Sequence, residues 1–302
     1  MAFEQTGLFE VIYANEKDKE AVVTYEMNSS LKVDTRSIED VLPEEIPDFD
    51  IALAGFPCND ISLAGRKQGL YEEDGSYTRS GMFFEFIRII HEKKPRILFL
   101  ENVRYLLKHD GGKTMQIVLD AIKQEGYYYK YDILNASKYG NTPQNRTRVY
   151  IVCSLYKEDI DRFSFPKPIK RTNTLENVID YYGKYTDRYY ITRKYKDGIY
   201  DSLLEVADGS HNVYMNDNGR AAKCIKGTIP ALVASKSNIP IVQTEHGFRH
   251  MMPCEYFVAQ TFPENFIIPP QLHNCALYKQ AGNSVCITVV RRVAEQIAEA
   301  IS

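Results

Sequence analysis

The sequence has no long apolar run. None of its hydrophobic stretches approaches the roughly 20 residues needed to cross a bilayer, and the opening MAFEQTGLFE has no basic segment followed by an apolar one. No secretory leader and no membrane partner are therefore expected, and a cytoplasmic location is. The six cysteines are scattered, with no CxxC pair and no companion histidine spacing, so neither a disulfide framework nor a metal site is expected. Internal repeats and low-complexity tracts are absent. There is also no surplus of positive charge: 37 Lys and Arg stand against 40 Asp and Glu, for a net charge of -3. Bulk charge therefore does not advertise a nucleic-acid partner, and its distribution matters more than its sum. Residues 166–226 carry eleven basic and eight acidic side chains, leaving that stretch mildly positive within a negative chain.

What is present is a chain of 302 residues, enough for one large domain and a smaller one. Short apolar runs of strand length recur at 9–16, 50–55, 97–102, 128–136 and 148–154. Between them, residues 17–27, 81–92 and 114–125 place apolar side chains at three- and four-residue spacings, the pattern of an amphipathic helix. Strand and helix in alternation predict an α/β sheet with helices on its faces. After FPKP at 165–168 the chain becomes Tyr-rich and charged, with Gly-containing turns, which puts a domain boundary near 166. From about 276 to 302 an amphipathic helix returns, expected to pack back on the first domain.

Three strand ends carry residues fit for chemistry. In DIALAGFPCNDISLAG, Cys58 follows a buried strand, at the carboxyl end where open α/β sheets gather ligands; a small buried hydrophobe is the alternative. In ILFLENV, Glu101 follows an apolar run, where a carboxylate costs free energy unless it is paired or bonded. It is a functional acid, a cap or half of a buried ion pair. In PQNRTRVYIV, Arg146 and Arg148 stand two apart and project from one face of an extended chain, able to grip an anion or a base carbonyl. Surface salt bridging is the bland alternative.

GFPC with a Ser four residues beyond the Cys, then ENV, then QNRTR, then KQAGNSV, in this order, resembles the bacterial DNA (cytosine-5)-methyltransferases of restriction-modification systems. The resemblance covers nearly the whole chain; only 166–240 lacks recognisable motifs, and in the family that stretch is the variable target-recognition region. It implies a Rossmann-like S-adenosylmethionine-dependent sheet at 1–165, a target-recognition domain at 166–275, and a C-terminal segment at 276–302 returning to the first. Cys58 would attack carbon 6 of a cytosine flipped out of double-stranded DNA, Glu101 would serve the ring at N3, and Arg148, with Arg146 beside it, would hold the base carbonyl. Ser62, Arg66 and Arg79 would touch the DNA strand from a closing loop. Glu16 resembles the acid that binds the cofactor ribose, Asp34 the acid that reads the adenine amino group, and Asn283 and Val285 would line the methionine side. A monomer is expected, with a cognate restriction endonuclease as a possible companion.

One element of the family pattern is missing. A strand and Gly-rich turn of the form D-L-F-A-G-x-G-G normally opens the fold, and here MAFEQTGLFEVIYANE reads as the helix due after that turn. An N-terminally incomplete catalytic domain is the expectation, with a gap between the strands at 9–16 and 50–55. An inactive DNA-binding remnant, half of a split enzyme and an RNA-directed relative stay open as alternatives.

Overall fold

In a computed structural model describing residues 1–56, 80–192, 198–209, 211–217, 221–234 and 238–302, the first half of the chain alternates helix and strand. In order come α1 (Lys19–Met27), β1 (Ile51–Ala54), α2 (Phe83–Lys93), β2 (Ile97–Val103), α3 (Lys113–Gln124) and β3 (Tyr128–Asn135). The single turn α4 (Ala136–Tyr139), the two-residue β4 (Gln144–Asn145), β5 (Thr147–Ser154) and α5 (Lys157–Arg162) complete this half. Four strands form one sheet in the order β1-β2-β5-β3, with β1 parallel to β2, and β5 antiparallel to both β2 and β3.

The pleat of β2 explains why both faces are covered. Ile97 and Phe99 look one way, Leu98 and Leu100 the other, and all four are buried. The Leu98 face, with Val149 and Ile151 of β5, packs on Phe83 and Ile90 of α2 and on Val118 and Ile122 of α3. The Phe99 face, with Tyr150 and Val152, packs on Val293, Ala294 and Ile297 of the C-terminal helix and on Ala2 and Phe3. Helices therefore sandwich the sheet, as the alternation predicts. The opening residues differ from expectation: they form a short 3-10 turn, Glu4–Thr6, in place of a full helix. Residues 9–16 run extended but form no strand. A ladder needs a partner, and among the described residues this segment exchanges backbone bonds only with the stretch around Asp34: Asp34 N to Ala14 O and Glu16 N to Asp34 O. Among the described residues β1 has β2 as its sole neighbour, and Leu53 is 47% exposed.

The base of the sheet is fastened by Asp159 of α5. Its carboxylate accepts from Arg96 Nε at 2.8 Å and Nη2 at 2.7 Å and from Ser154 Oγ at 2.7 Å, holding its pKa down at about 2 against an ordinary 3.8. A depressed folded pKa means that the stability it contributes is complete above pH about 4 and is lost as pH falls towards 2. Asp159 is sealed but Arg96 is 36% exposed, which discounts the pair relative to a fully buried one. Asp159→Asn is expected to lower stability near neutral pH by about 2 kcal/mol and to flatten its dependence between pH about 4 and 2. Denaturant titrations at several pH values check this; an unchanged acid limb would show that the carboxylate contributes nothing.

The second half contains α6 (Ile199–Val206), β6 (Val213–Asp217), β7 (Ala221–Ile225), β8 (Ile229–Pro230), β9 (Ile241–Thr244), β10 (Gly247–His250) and α7 (Pro253–Ala259). The hairpins β6–β7 and β9–β10 join as an antiparallel sheet, β10-β9-β6-β7, while β8 pairs with β4. Leu203 of α6 packs on one face with Tyr214 and Phe248, and Tyr256 of α7 packs on the other with Val213 and Val242. The C-terminal amphipathic stretch is two helices rather than one, α8 (Asn274–Asn283) and α9 (Ile287–Ile301). Leu277, Tyr278 and Ala281 of α8 belong to the core beneath the second sheet, whereas α9 closes the first. The break has a local cause. The carbonyls of Gly282 and Ser284, which would accept from the next turn of a continuous helix, are taken by Arg146 Nη2 at 3.0 and 2.7 Å.

Candidate active site

The carboxyl end of β2 is where the apolar run stops. Glu101 lies opposite Tyr150 in the register and Val103 lies opposite Arg148, so Glu101 and Arg148 share the face that carries Phe99. Arg148 Nε stands 2.9 Å from Glu101 Oε1, and the two side chains are only 15% and 14% exposed. The Nε proton does not point along that line, so the contact is an ion pair without an aligned hydrogen bond, and Oε1 has no hydrogen-bond partner among the described residues. Buried carboxylate oxygens are normally satisfied. Arg148 Nη1 donates to Thr147 O at 3.0 Å, and Nη2 has no partner among the described residues. Acid and guanidinium thus hold each other at the sheet's end while each retains hydrogen-bonding capacity for a third group.

The strand leading to Cys58 comes to this point. A methyl group built on Gly55 would stand 3.7 Å from Glu101 Oε2, so the backbone three residues before Cys58 runs directly past the carboxyl. Asn102 pins it there: its Nδ2 donates to Phe56 O at 3.1 Å. Cys58, Ser62, Arg66 and Arg79 lie outside the described residues. Sequence reasoning passed over Asn102, although a polar residue directly after Glu101 must face the opposite, buried side of the strand, where an amide has to find partners.

Arg146 sits differently from its neighbour. It is 3% exposed, and its terminal nitrogens donate to three backbone carbonyls, Leu232 O at 2.7 Å through Nη1 and those of Gly282 and Ser284 through Nη2, while Nε has no partner among the described residues. Burial, and then the charge of Arg148, push its pKa down to about 10, leaving it cationic at neutral pH. None of these contacts presents it to a base. Gln144, two residues earlier, is fully buried and joins the same junction, donating to Ala259 O at 3.0 Å and accepting from Leu232 N at 3.3 Å. Gln260 donates to Ala281 O at 2.8 Å. Gln144 and Gln260 were also missed from the sequence, since their partners are backbone groups far along the chain.

Of the residues expected at a cofactor, Glu16 and Asp34 come together on neighbouring segments. Glu16 is exposed; Oε1 accepts from Asp18 N at 2.8 Å, and Oε2 is open among the described residues. Asp34 is saturated. Its oxygens accept from the Arg36 backbone, from Arg36 Nε and Nη2 and from Tyr13 Oη, and Arg36 holds its pKa down at about 2. Glu16 fits ribose hydroxyls, which donate; the Asp34 carboxylate has no lone pair to spare for an adenine amino group. Asn283 ends α8, exposed, and Val285 is half-buried beside the Arg146-bound carbonyls. Helix α8 reaches α1 through Thr24 Oγ1 to Gln280 Oε1 at 2.7 Å and through Lys279 with Asp18, the residue bonded to Glu16. Buried Gln280 Nε2 has no partner among the described residues. A contiguous series of contacts therefore runs from Glu101 to Glu16. A cavity of about 430 Å³ lies elsewhere, between Tyr190, Tyr200 and Phe248 at the second sheet.

Comparison with known proteins adds to this geometry. A family model described as C-5 cytosine-specific DNA methylase matches residues 1–299. The chain is 41% identical over 302 residues to Type II methyltransferase M.Bsp6I of Bacillus sp. (strain RFL6), covering 98% of this chain and 94% of that protein. It is 36% identical to Type II methyltransferase M.NlaX of Neisseria lactamica, covering 96% and 89%. Among solved structures, a DNMT2 variant of Spodoptera frugiperda superposes with a TM-score of 0.72 at 16% identity, covering 98% of this chain and 95% of that one. The S. pombe Dnmt2 methyltransferase gives 0.69 at 15%, covering 100% and 95%. These structural likenesses bear on the fold, which is the Rossmann-like α/β arrangement expected from the sequence.

Proposed function

Because the chain belongs to the C-5 cytosine-specific DNA methylase family, we propose that it transfers a methyl group from S-adenosylmethionine to carbon 5 of a cytosine flipped out of a specific double-stranded DNA sequence, through a covalent Cys58 adduct. The observation that carries this reading is the buried Glu101 carboxyl, gripped by Arg148 yet short of a hydrogen-bond partner, with the backbone leading to Cys58 against it.

The chemistry follows from the ring. Carbon 5 of cytosine is a weak nucleophile. Addition of the Cys58 thiolate to carbon 6 pushes an electron pair through the ring, with Glu101, which takes up a proton before this step, donating a hydrogen bond or that proton at N3 and the open Arg148 nitrogen donating to the base carbonyl. The resulting enamine takes the methyl group at carbon 5. Loss of the carbon 5 proton and expulsion of Cys58 restore the aromatic ring. The cofactor, when bound, would supply an electrophilic methyl group whose leaving group is a neutral thioether. Glu16 would hold its ribose, and the Asn283–Val285 turn would flank its methionine end. Asp34 would read the adenine amino group after giving up one of its present partners. No metal enters the scheme. Unstacking the target costs a few kcal/mol, offset by contacts of the mildly basic 166–275 region and of Ser62, Arg66 and Arg79 with DNA. Residues 1–165 and 276–302 would then form the catalytic part, α8 seating the recognition region on it. A restriction endonuclease cutting the same site is the companion that restriction-modification relatives suggest.

Incubating the purified chain with S-adenosylmethionine and mixed-sequence duplex DNA, followed by bisulfite sequencing, tests the reading. Protected cytosines in one sequence context are expected. Uniform conversion of every context, or protection confined to an RNA substrate, would overturn it.

A further inference from the structure

Arg146 was expected beside Arg148 in the catalytic group, and its contacts suit a further task, one that rests on the methyl-transfer reading above. We propose that Arg146 is a positioning residue that couples the DNA-reading limb to the cofactor turn, so that seating of DNA and seating of the cofactor favour one another.

The limb is the segment that leaves β8 and passes through Leu232, Val233 and Ala234. The turn is the break between α8 and α9, which carries Asn283 and Val285. One planar guanidinium binds both, through Nη1 to Leu232 O at 2.7 Å and through Nη2 to Gly282 O at 3.0 Å and Ser284 O at 2.7 Å. Its fork is rigid, so a shift of one set of carbonyls turns the plane and displaces the other set. A cation at the last turn of α8 also complements the negative end of that helix. The two segments touch directly as well: a methyl group built on Gly282 would lie 2.4 Å from Val233 C and 2.5 Å from Ala234 N, so backbone packs on backbone with no side chain to absorb movement. On the limb's other side Gln144 accepts from Leu232 N and donates to Ala259 O, which prevents the limb from moving independently of β4. Arg146 enters β5 two residues before Arg148, so the same strand end sets the guanidinium that faces Glu101. Two ligand surfaces and the catalytic pair thus share one buried cation.

Coupling of this kind is reciprocal and readable without turnover, since DNA must tighten cofactor binding by the same factor as cofactor tightens DNA binding. The dissociation constant of S-adenosylhomocysteine is measured by calorimetry with and without a duplex that the wild-type chain methylates. Wild type is expected to bind on the order of tenfold more tightly in the presence of the duplex. Arg146→Lys, whose point charge cannot span both segments, and Gly282→Ala, which forces them apart, are each expected to show less than about a threefold effect. Glu101→Gln is expected to keep the wild-type ratio. Hydrogen exchange on wild type gives a check independent of either variant's folding: duplex alone should slow exchange of the amides at 282–288. A wild-type ratio of one, retention of the full ratio in folded variants, or exchange at 282–288 that ignores the duplex would each overturn the assignment. A wild-type chain that methylates no duplex at all would remove the underlying reading first, a result distinguishable before any variant is compared.

Discussion

Cys58→Ser is expected to abolish methyl transfer, with a loss on the order of 10⁴-fold or more, as for removal of other attacking nucleophiles. A hydroxyl is a far weaker nucleophile than a thiolate at neutral pH, and carbon 6 offers no other route to an enamine. DNA affinity should survive, because the base can still be extruded and gripped by Arg148. Single-turnover assays with a tritiated methyl donor, paired with fluorescence anisotropy on the duplex, separate the two quantities. Turnover within tenfold of wild type would remove Cys58 from the chemistry.

The second large effect belongs to Glu101. Gln keeps the size and one acceptor but has no carboxylic proton to deliver to N3, so a rate loss of roughly 10²- to 10⁴-fold is expected, the range typical of a general acid. Binding of duplex should change little. The replacement also strips Arg148 of the anion 2.9 Å away, so Arg148→Lys serves as the companion: it keeps the charge but loses the planar fork that reaches acid and base carbonyl together. Equal losses of rate and affinity in Glu101→Gln would instead mark Glu101 as a structural anchor.

Much of this arrangement was legible in the amino-acid order. The strands at β1, β2, β3 and β5 and the helices α1, α2 and α3 fall where apolar spacing put them, because each buries a face whose period is local. That Glu101 and Arg148 stand at the ends of buried strands was legible as well, while their pairing is supplied by the register of β2 on β5. What could not be read was contact between distant segments. Arg146 and Arg148 look alike in QNRTR, and only the arrival of Leu232 and Ser284 distinguishes them. Asp34 looked free until Arg36 and Tyr13 folded onto it. The break at Ser284 was hidden by an amphipathic pattern continuing across it. The run at 9–16 carried a strand's composition, but among the described residues it meets only the short bridge to Asp34, and no periodicity can supply a longer ladder.

The lone attachment of β1 bears on how firmly the backbone beside Glu101 is held. Parallel strands ordinarily sit in the interior of a sheet, but here the peptide hydrogens on the outer side of Ile51–Ala54 face no ladder among the described residues. Among the described residues, fluctuation of this strand in the sheet plane is resisted by β2 alone, and the carboxamide of Asn102 holds the backbone at Phe56. A disturbance of the β1–β2 ladder would therefore be felt at Gly55, and so in the spacing between that backbone and the Glu101 carboxyl.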